Sequence, residues 1–164
     1  MGKAESYLDE VLGAFPFGAP VVGAVRFGQG HINDTFVVHT QPEDRCCRRF
    51  ILQRMSAAAF KHPDELMENI IGVTEYLGRE IERSGGDRER ETLRVIRPGN
   101  GEPYYTDRDG GAWRLYPFVE GTVCCQSAET PELFAASGRA FGHFQRLLQG
   151  YPAQTLHETI PHFH

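Results

Sequence analysis

The chain has 164 residues, 40% hydrophobic and 24% charged, the balance of a folded globular protein and not of a disordered one. A formal net charge of −5 excludes a broadly basic surface for nucleic acid or acidic lipid. No apolar run approaches bilayer-spanning length and the amino terminus lacks the basic-then-apolar pattern of a signal peptide, so a cytoplasmic location is expected.

Leu8, Val11, Leu12 and Phe15 recur at i, i+3, i+4 and i+7, which predicts a short amphipathic helix over Glu5 to Phe15, stopped by Pro16. Val21 to Phe27 and Thr35 to Thr40 are rich in β-branched and aromatic residues and read as strands, joined by a glycine-containing turn. A third strand, Arg48 to Met55, follows the polar loop Gln41 to Arg45. From Pro63 onward, Leu66, Ile70, Val73, Leu77 and Ile81 make one apolar stripe, predicting a long helix that ends at Ser84-Gly85-Gly86. Thr92 to Arg97 is expected to be a strand; PGNGEP then turns the chain into Tyr104-Tyr105-Thr106, and DRDGG into a last strand, Ala112 to Phe118. Thr130 and Pro131 suit the N-cap and first position of a helix that reaches Gly150. Phe134, Phe141, Phe144 and Leu148 share its apolar stripe, and their helical spacing predicts core positions for the phenylalanines. Leu156 to His164 carries no helix or strand signal.

Short links between strands call for antiparallel pairing. An antiparallel sheet with one crossing helix, then a connector into a helical region, is an α+β arrangement that matches a kinase small lobe. A ligand-binding α+β domain of another kind has the same order of elements. The cysteines fall in two adjacent pairs, Cys46-Cys47 and Cys124-Cys125, whereas zinc thiols are usually spaced by two to four residues; reduced, metal-free thiols are expected.

The stretch FGQGHINDTF, Phe27 to Phe36, is not a P-loop, because no Gly-Lys-Ser/Thr follows and no helix opens there. Nor is it a dinucleotide fingerprint, because Asn33 stands at the third glycine and a strand follows. What remains is a loop between antiparallel strands, either a plain hairpin turn or a flap over nucleotide phosphates. Glycine lets backbone N–H groups approach phosphate oxygens, and Asn33 and Thr35 can add side-chain donors.

Three further stretches bear on that choice. RRFILQRM is a strand where kinases carry their phosphate-pairing lysine; WRLYPFVEG is an apolar strand running into a proline-containing connector; ETIPHFH closes the chain. Together with GHINDTF and FGHFQRLL, they resemble the N-acetylhexosamine 1-kinases, within the aminoglycoside phosphotransferase and choline kinase-like superfamily, from about Phe27 to His164. The resemblance implies ATP-dependent transfer of the γ-phosphoryl group to the anomeric hydroxyl of N-acetylglucosamine or N-acetylgalactosamine. ATP and Mg²⁺ are the cofactors implied and a small sugar the partner, with no nucleic acid or membrane involved.

The resemblance implies that Gly28 and Gly30 belong to the phosphate-covering loop, with His31 and Asn33 as the polar residues after it; Thr35 is the further donor that the residues themselves offer. Gln53 takes the place of the strand lysine, as it does in the sugar kinases this chain resembles, and can donate an amide hydrogen bond to a phosphate oxygen. The partner glutamate on the helix would fall near Asn69, beside Glu68. Pro117, Phe118 and Val119 match the hinge that reads adenine through its backbone, while Trp113 and Tyr116 are expected in the small-lobe core. His162 and His164 lie in the matched ending without an assigned role. The family's His-Asn-Asp catalytic loop and its later metal-holding aspartate have no counterpart here, so neither catalytic nor metal-binding residues are expected in this chain. The aspartates of TDRDGG read as surface turn residues. The expected organisation is a kinase-like amino-terminal lobe over residues 1–118, then hinge and the first part of a truncated carboxy-terminal lobe over 119–164. The alternative is a non-catalytic nucleotide- or metabolite-binding α+β module.

Overall fold

Side chains alternate from face to face along a strand, and here that alternation gives a five-stranded sheet one face packed with the amino-terminal helix and one flanked by the long helix from Pro63. The computed structural model describes residues 3–28, 30, 32–41, 48–123, 125 and 127–161. In chain order the elements are α1 (Lys3–Gly13), β1 (Val21–Arg26), β2 (Asp34–Thr40), β3 (Arg49–Arg54), α2 (Pro63–Arg83), α3 (Arg88–Glu91), β4 (Tyr105–Thr106), β5 (Ala112–Pro117) and α4 (Pro131–Leu147). The fold is α+β, with all strand pairs antiparallel and a strand order of β1-β2-β3-β5-β4.

Register places Phe36, Leu52 and Leu115 in one row and Val38 and Phe50 in the next. These side chains, with Trp113, meet Val11 of α1 and the following Phe15 and Phe17 to form the main core. Leu52, Leu115, Val38 and Val11 are fully buried, each worth about 1.5–3 kcal/mol of hydrophobic stabilisation. Thr35, Val37, Ile51, Gln53, Arg114 and Tyr116 occupy the opposite face. There α2 flanks the sheet, its Leu66 and Met67 buried with Met55 and Ala112 in a second cluster. Pro63 at the first helical position, Asp64 and Glu65 in the first turn and Arg83 in the last suit the α2 dipole.

Three sequence expectations are corrected by the fold. Thr92 to Arg97 is not a strand: only Ile96 pairs, through a single bridge to Leu115. Short helix α3 precedes it, capped by the Asp87 carboxylate on the Glu89 N–H (3.0 Å) while Glu91 accepts from the Asp87 N–H (2.7 Å). Arg94 then reaches back to Glu89 (3.0 Å) and Val95 packs in the α2 cluster, so the segment belongs more to α2 than to the sheet. Asp107 is not a surface turn residue. It is only 4% exposed and accepts hydrogen bonds from the Tyr7 hydroxyl, from Trp113 Nε1 (2.6 Å) and from the N–H groups of Asp109 (2.9 Å) and Gly111 (2.8 Å). Asp109, two residues on, is exposed as expected.

The third correction concerns α4. Thr130 caps it as expected, accepting from the Leu133 N–H (3.2 Å), yet no residue of the helix is buried. Phe134, Phe141 and Phe144 are 72%, 69% and 44% exposed. Helical spacing assigns these rings to one face but cannot say what covers it. An uncovered aromatic stripe favours association. Size-exclusion chromatography is expected to show concentration-dependent self-association, relieved in the Phe134→Ser, Phe141→Ser double variant. Identical monomeric elution of both proteins at all concentrations would reject this.

Beyond α4 the chain returns to α2. Tyr151 packs edge-on against Tyr76, with ring centroids 5.3 Å apart, and Asn69 exchanges two hydrogen bonds with the backbone of His157 (2.8 and 2.9 Å). Among the described residues no helix is long and apolar enough to cross a membrane.

Candidate functional site

Strand β3 lies between β2 and β5, so its side chains from Phe50 to Arg54 have directly opposed neighbours on both sides. For Gln53 those neighbours are Thr35 and Arg114. Gln53 Nε2 donates to Thr35 Oγ1 (3.0 Å), and Gln53 Oε1 accepts from Arg114 Nε (3.1 Å) and Nη2 (2.9 Å). The amide is thereby fixed between a hydroxyl and a two-pronged guanidinium. Asn69, expected near the partner position of the strand lysine, is instead committed to His157. The cation beside Gln53 comes from β5.

Two residues back along β3, Ile51 stands opposite Tyr116, and β5 then runs into the connector. A cleft of about 370 Å³ opens here, walled by Phe27, Ile51, Gln53, Pro117, Phe118 and Val119. Four of the residues expected to touch nucleotide, Gln53, Pro117, Phe118 and Val119, therefore share one cavity. Trp113 is in the core as expected. Tyr116 is buried too, but it also borders the cleft; burial raises its hydroxyl pKa, and the Arg114 charge opposes that rise.

The connector is held from several sides. Phe118 N–H donates to the Arg49 carbonyl (3.0 Å), and Arg49 lies over the Phe118 ring with Cζ 3.9 Å from its centroid. Phe27 meets the same ring edge-on at 6.0 Å. The Arg49 fork binds both carboxylate oxygens of Glu120, with Nε to Oε1 at 2.8 Å, and this pairing holds the Glu120 carboxyl below its usual range. Arg90 donates to the Glu120 carbonyl (3.0 Å) and the Thr122 hydroxyl to the Val119 carbonyl (2.9 Å). Pro117 has no N–H and that of Phe118 is bonded to β3. Strand alternation continued past the end of β5 would turn the Pro117 carbonyl and the Val119 N–H away from β3.

The glycine turn follows Phe27, whose N–H closes on the Thr35 carbonyl (2.8 Å). Gly28 has φ +78°, a left-handed conformation that favours glycine. Among the described residues, and apart from its chain neighbours, no atom lies within 4 Å of where a Cβ on Gly30 would stand. Asn33 is drawn to the other end of the loop, its Oδ1 accepting from the Ser56 N–H (3.0 Å), so its acceptor has a structural task. His31 lies outside the described residues, as do His162 and His164 and the thiols of Cys46, Cys47 and Cys124; Cys125 is exposed and unbridged.

Two larger hollows, each of about 530 Å³, are also present, and one of them adjoins this cleft. One lies between α2 and β5, bordered by Asn69, Ile70, Val73, Arg114, Tyr116 and Phe144, and meets the connector cleft at Leu93 and Tyr116. The other, around Asp34, Arg54, Lys61 and Asp109, mixes both signs of charge and holds none of the expected nucleotide residues. Among the described residues no group of three or more His, Cys, Asp or Glu side chains is placed to hold a metal ion.

Arg114 is the site residue that the sequence reading missed. Its signal was present: a cation inside the apolar strand WRLYP, in step with Tyr116 and out of step with the buried Trp113 and Leu115. No protein-family model matches the chain.

Proposed function

We propose that this chain is the nucleotide-holding, amino-terminal part of an ATP-dependent phosphotransferase acting on the anomeric hydroxyl of N-acetylhexosamines. In this reading residues 1–118 are a kinase-like small lobe, and the connector and α4 lead into a helical large lobe. The observation that carries it is the connector cleft, where Gln53 of β3 and the Pro117–Val119 segment face one cavity beside the glycine turn. An adenine needs a flat apolar slot with a few backbone polar groups at its edge. Phe27 and Ile51 supply the slot; the Pro117 carbonyl and Val119 N–H supply the edge.

The phosphates would then extend toward the Gln53–Arg114 row, under the loop of Gly28 and Gly30. The work of these residues is binding and orientation, which in phosphoryl transfer is most of what a protein contributes besides charge neutralisation. Mg²⁺ finds no such fit, because among the described residues no carboxylate borders the cleft, and no step is assigned to it.

Isothermal titration of the chain with adenosine should give saturable one-to-one binding. Val119→Pro, which removes the edge N–H, should weaken adenosine about tenfold, the value of one well-made hydrogen bond. Absence of adenosine and ATP binding to the unmodified chain would overturn the reading.

A further inference from the structure

With an amide at Gln53 where kinases carry an ammonium, that position of β3 brings no positive charge to a triphosphate. The geometry points to Arg114 of β5 as the cation that binds the phosphate tail of the nucleotide, with Gln53 as the arm that positions its guanidinium. This inference rests on the nucleotide reading of the connector cleft.

Arg114 is half-buried, and its partners among the described residues are neutral: the Gln53 Oε1 atom at 3.1 and 2.9 Å, and the Tyr116 ring at 5.5 Å from Cζ. Several other arginines of the fold are matched with carboxylates, among them Arg49 with Glu120, Arg94 with Glu89 and Arg108 with Glu10, while Arg90 and Arg97 reach backbone carbonyls. Among the described residues no carboxylate oxygen stands within 4.0 Å of Arg114. A half-buried cation with neutral neighbours gains when an anion joins it.

The donor count fits a phosphate. A guanidinium has five N–H groups, and two of them are engaged by Gln53, which leaves three. Gln53 itself keeps one amide N–H beyond the one given to Thr35. The planar fork matches phosphate oxygens better than an ammonium does, and two bonds to Gln53 hold that fork in place. Position fits as well. Gln53 borders the connector cleft, Arg114 borders the adjoining hollow, and the two cavities meet at Leu93 and Tyr116. A ligand whose flat end lies against Pro117–Val119 and whose charged tail passes Gln53 meets Arg114 next.

The test is calorimetric titration of the unmodified chain, Arg114→Gln and Arg114→Lys with adenosine and with ATP plus Mg²⁺, beside thermal midpoints. Arg114→Gln should weaken ATP about tenfold or more, as expected for a lost charge-assisted hydrogen bond, and leave adenosine unchanged. Arg114→Lys, which keeps the charge without the fork, should fall between. In the unmodified chain, added salt should weaken ATP and spare adenosine, a reading that survives if the variants fold poorly. Equal ATP affinity in all three proteins, or parallel losses of ATP and adenosine, would overturn the role of Arg114. ATP binding no tighter than adenosine in the unmodified chain would also overturn it, while leaving the adenine cleft standing. If neither ligand binds, the nucleotide reading falls and this inference with it.

Discussion

Asp107→Ala is expected to lower the unfolding free energy by roughly 3–5 kcal/mol, a large share of what holds a domain of this size folded. The carboxylate is buried and accepts from four donors, among them the Tyr7 hydroxyl on α1 and Trp113 Nε1 on β5. Removing it leaves those donors without an acceptor and loosens α1 from the face of the sheet it packs on. Asp107→Asn should cost nearly as much. One carboxylate oxygen serves the two backbone N–H groups and the other serves Tyr7 and Trp113, so an amide NH₂ would face donors whichever way it turned.

The pH dependence has a definite sign at both ends. Burial pushes the Asp107 pKa up, but the hydrogen bonds from Tyr7, Trp113, Gly111 and Asp109 together outweigh it and hold the carboxyl below its ordinary 3.8. A depressed carboxyl stabilises the fold above its unfolded pKa, and that contribution is lost as pH falls from about 3.8 through the lower folded value. Tyr7 is pushed up to about 12, by burial first and then by its bond to Asp107. Its contribution is intact below the ordinary 10.0 and is lost as pH rises from there to about 12. Urea midpoints measured across this range on the parent chain and on Asp107→Asn check both. Equal stability of the two proteins at neutral pH would refute the role given to Asp107.

Gly30→Val is expected to reduce ATP affinity on the order of a hundredfold, the value of about two lost charge-assisted hydrogen bonds, with little change in thermal midpoint. Among the described residues nothing beyond its chain neighbours stands within 4 Å of the Gly30 Cβ position, which leaves room for the new side chain. In the nucleotide reading that same room is where the loop closes over phosphates, and a branched side chain would hold them off. Gly28→Val is the contrasting variant. At φ +78° a β-branched residue is strained by about 1–3 kcal/mol, so it should lose stability whether or not nucleotide binds. Normal ATP binding by Gly30→Val would reduce the glycine stretch to a hairpin turn.

What the sequence determined by itself was local. Apolar, β-branched and aromatic runs bounded by turn signals located β2, β3 and β5, and the stripe of Leu66, Ile70, Val73, Leu77 and Ile81 located α2. Thr130 and Pro131 marked the start of α4 because cap and first-turn chemistry involve residues only three apart. Gln53, Pro117, Phe118 and Val119, singled out by the resemblance, border one cleft, a placement that sheet register decides. The tertiary structure alone decided matters that depend on distant partners. Thr92 to Arg97 had a strand's composition, but its contacts went to α2 and α3, so only Ile96 paired. Phe134 and Phe141 had a core's spacing, and nothing packed over them. Asp107 sat in a turn sequence, yet Tyr7, 100 residues away, closed over it and buried its charge. The pairing of Gln53 with Arg114, 61 residues further on, arose because β5 inserts between β3 and β4. Periodicity fixes which face a side chain takes, but burial, pairing and charge compensation depend on what the rest of the chain brings to that face.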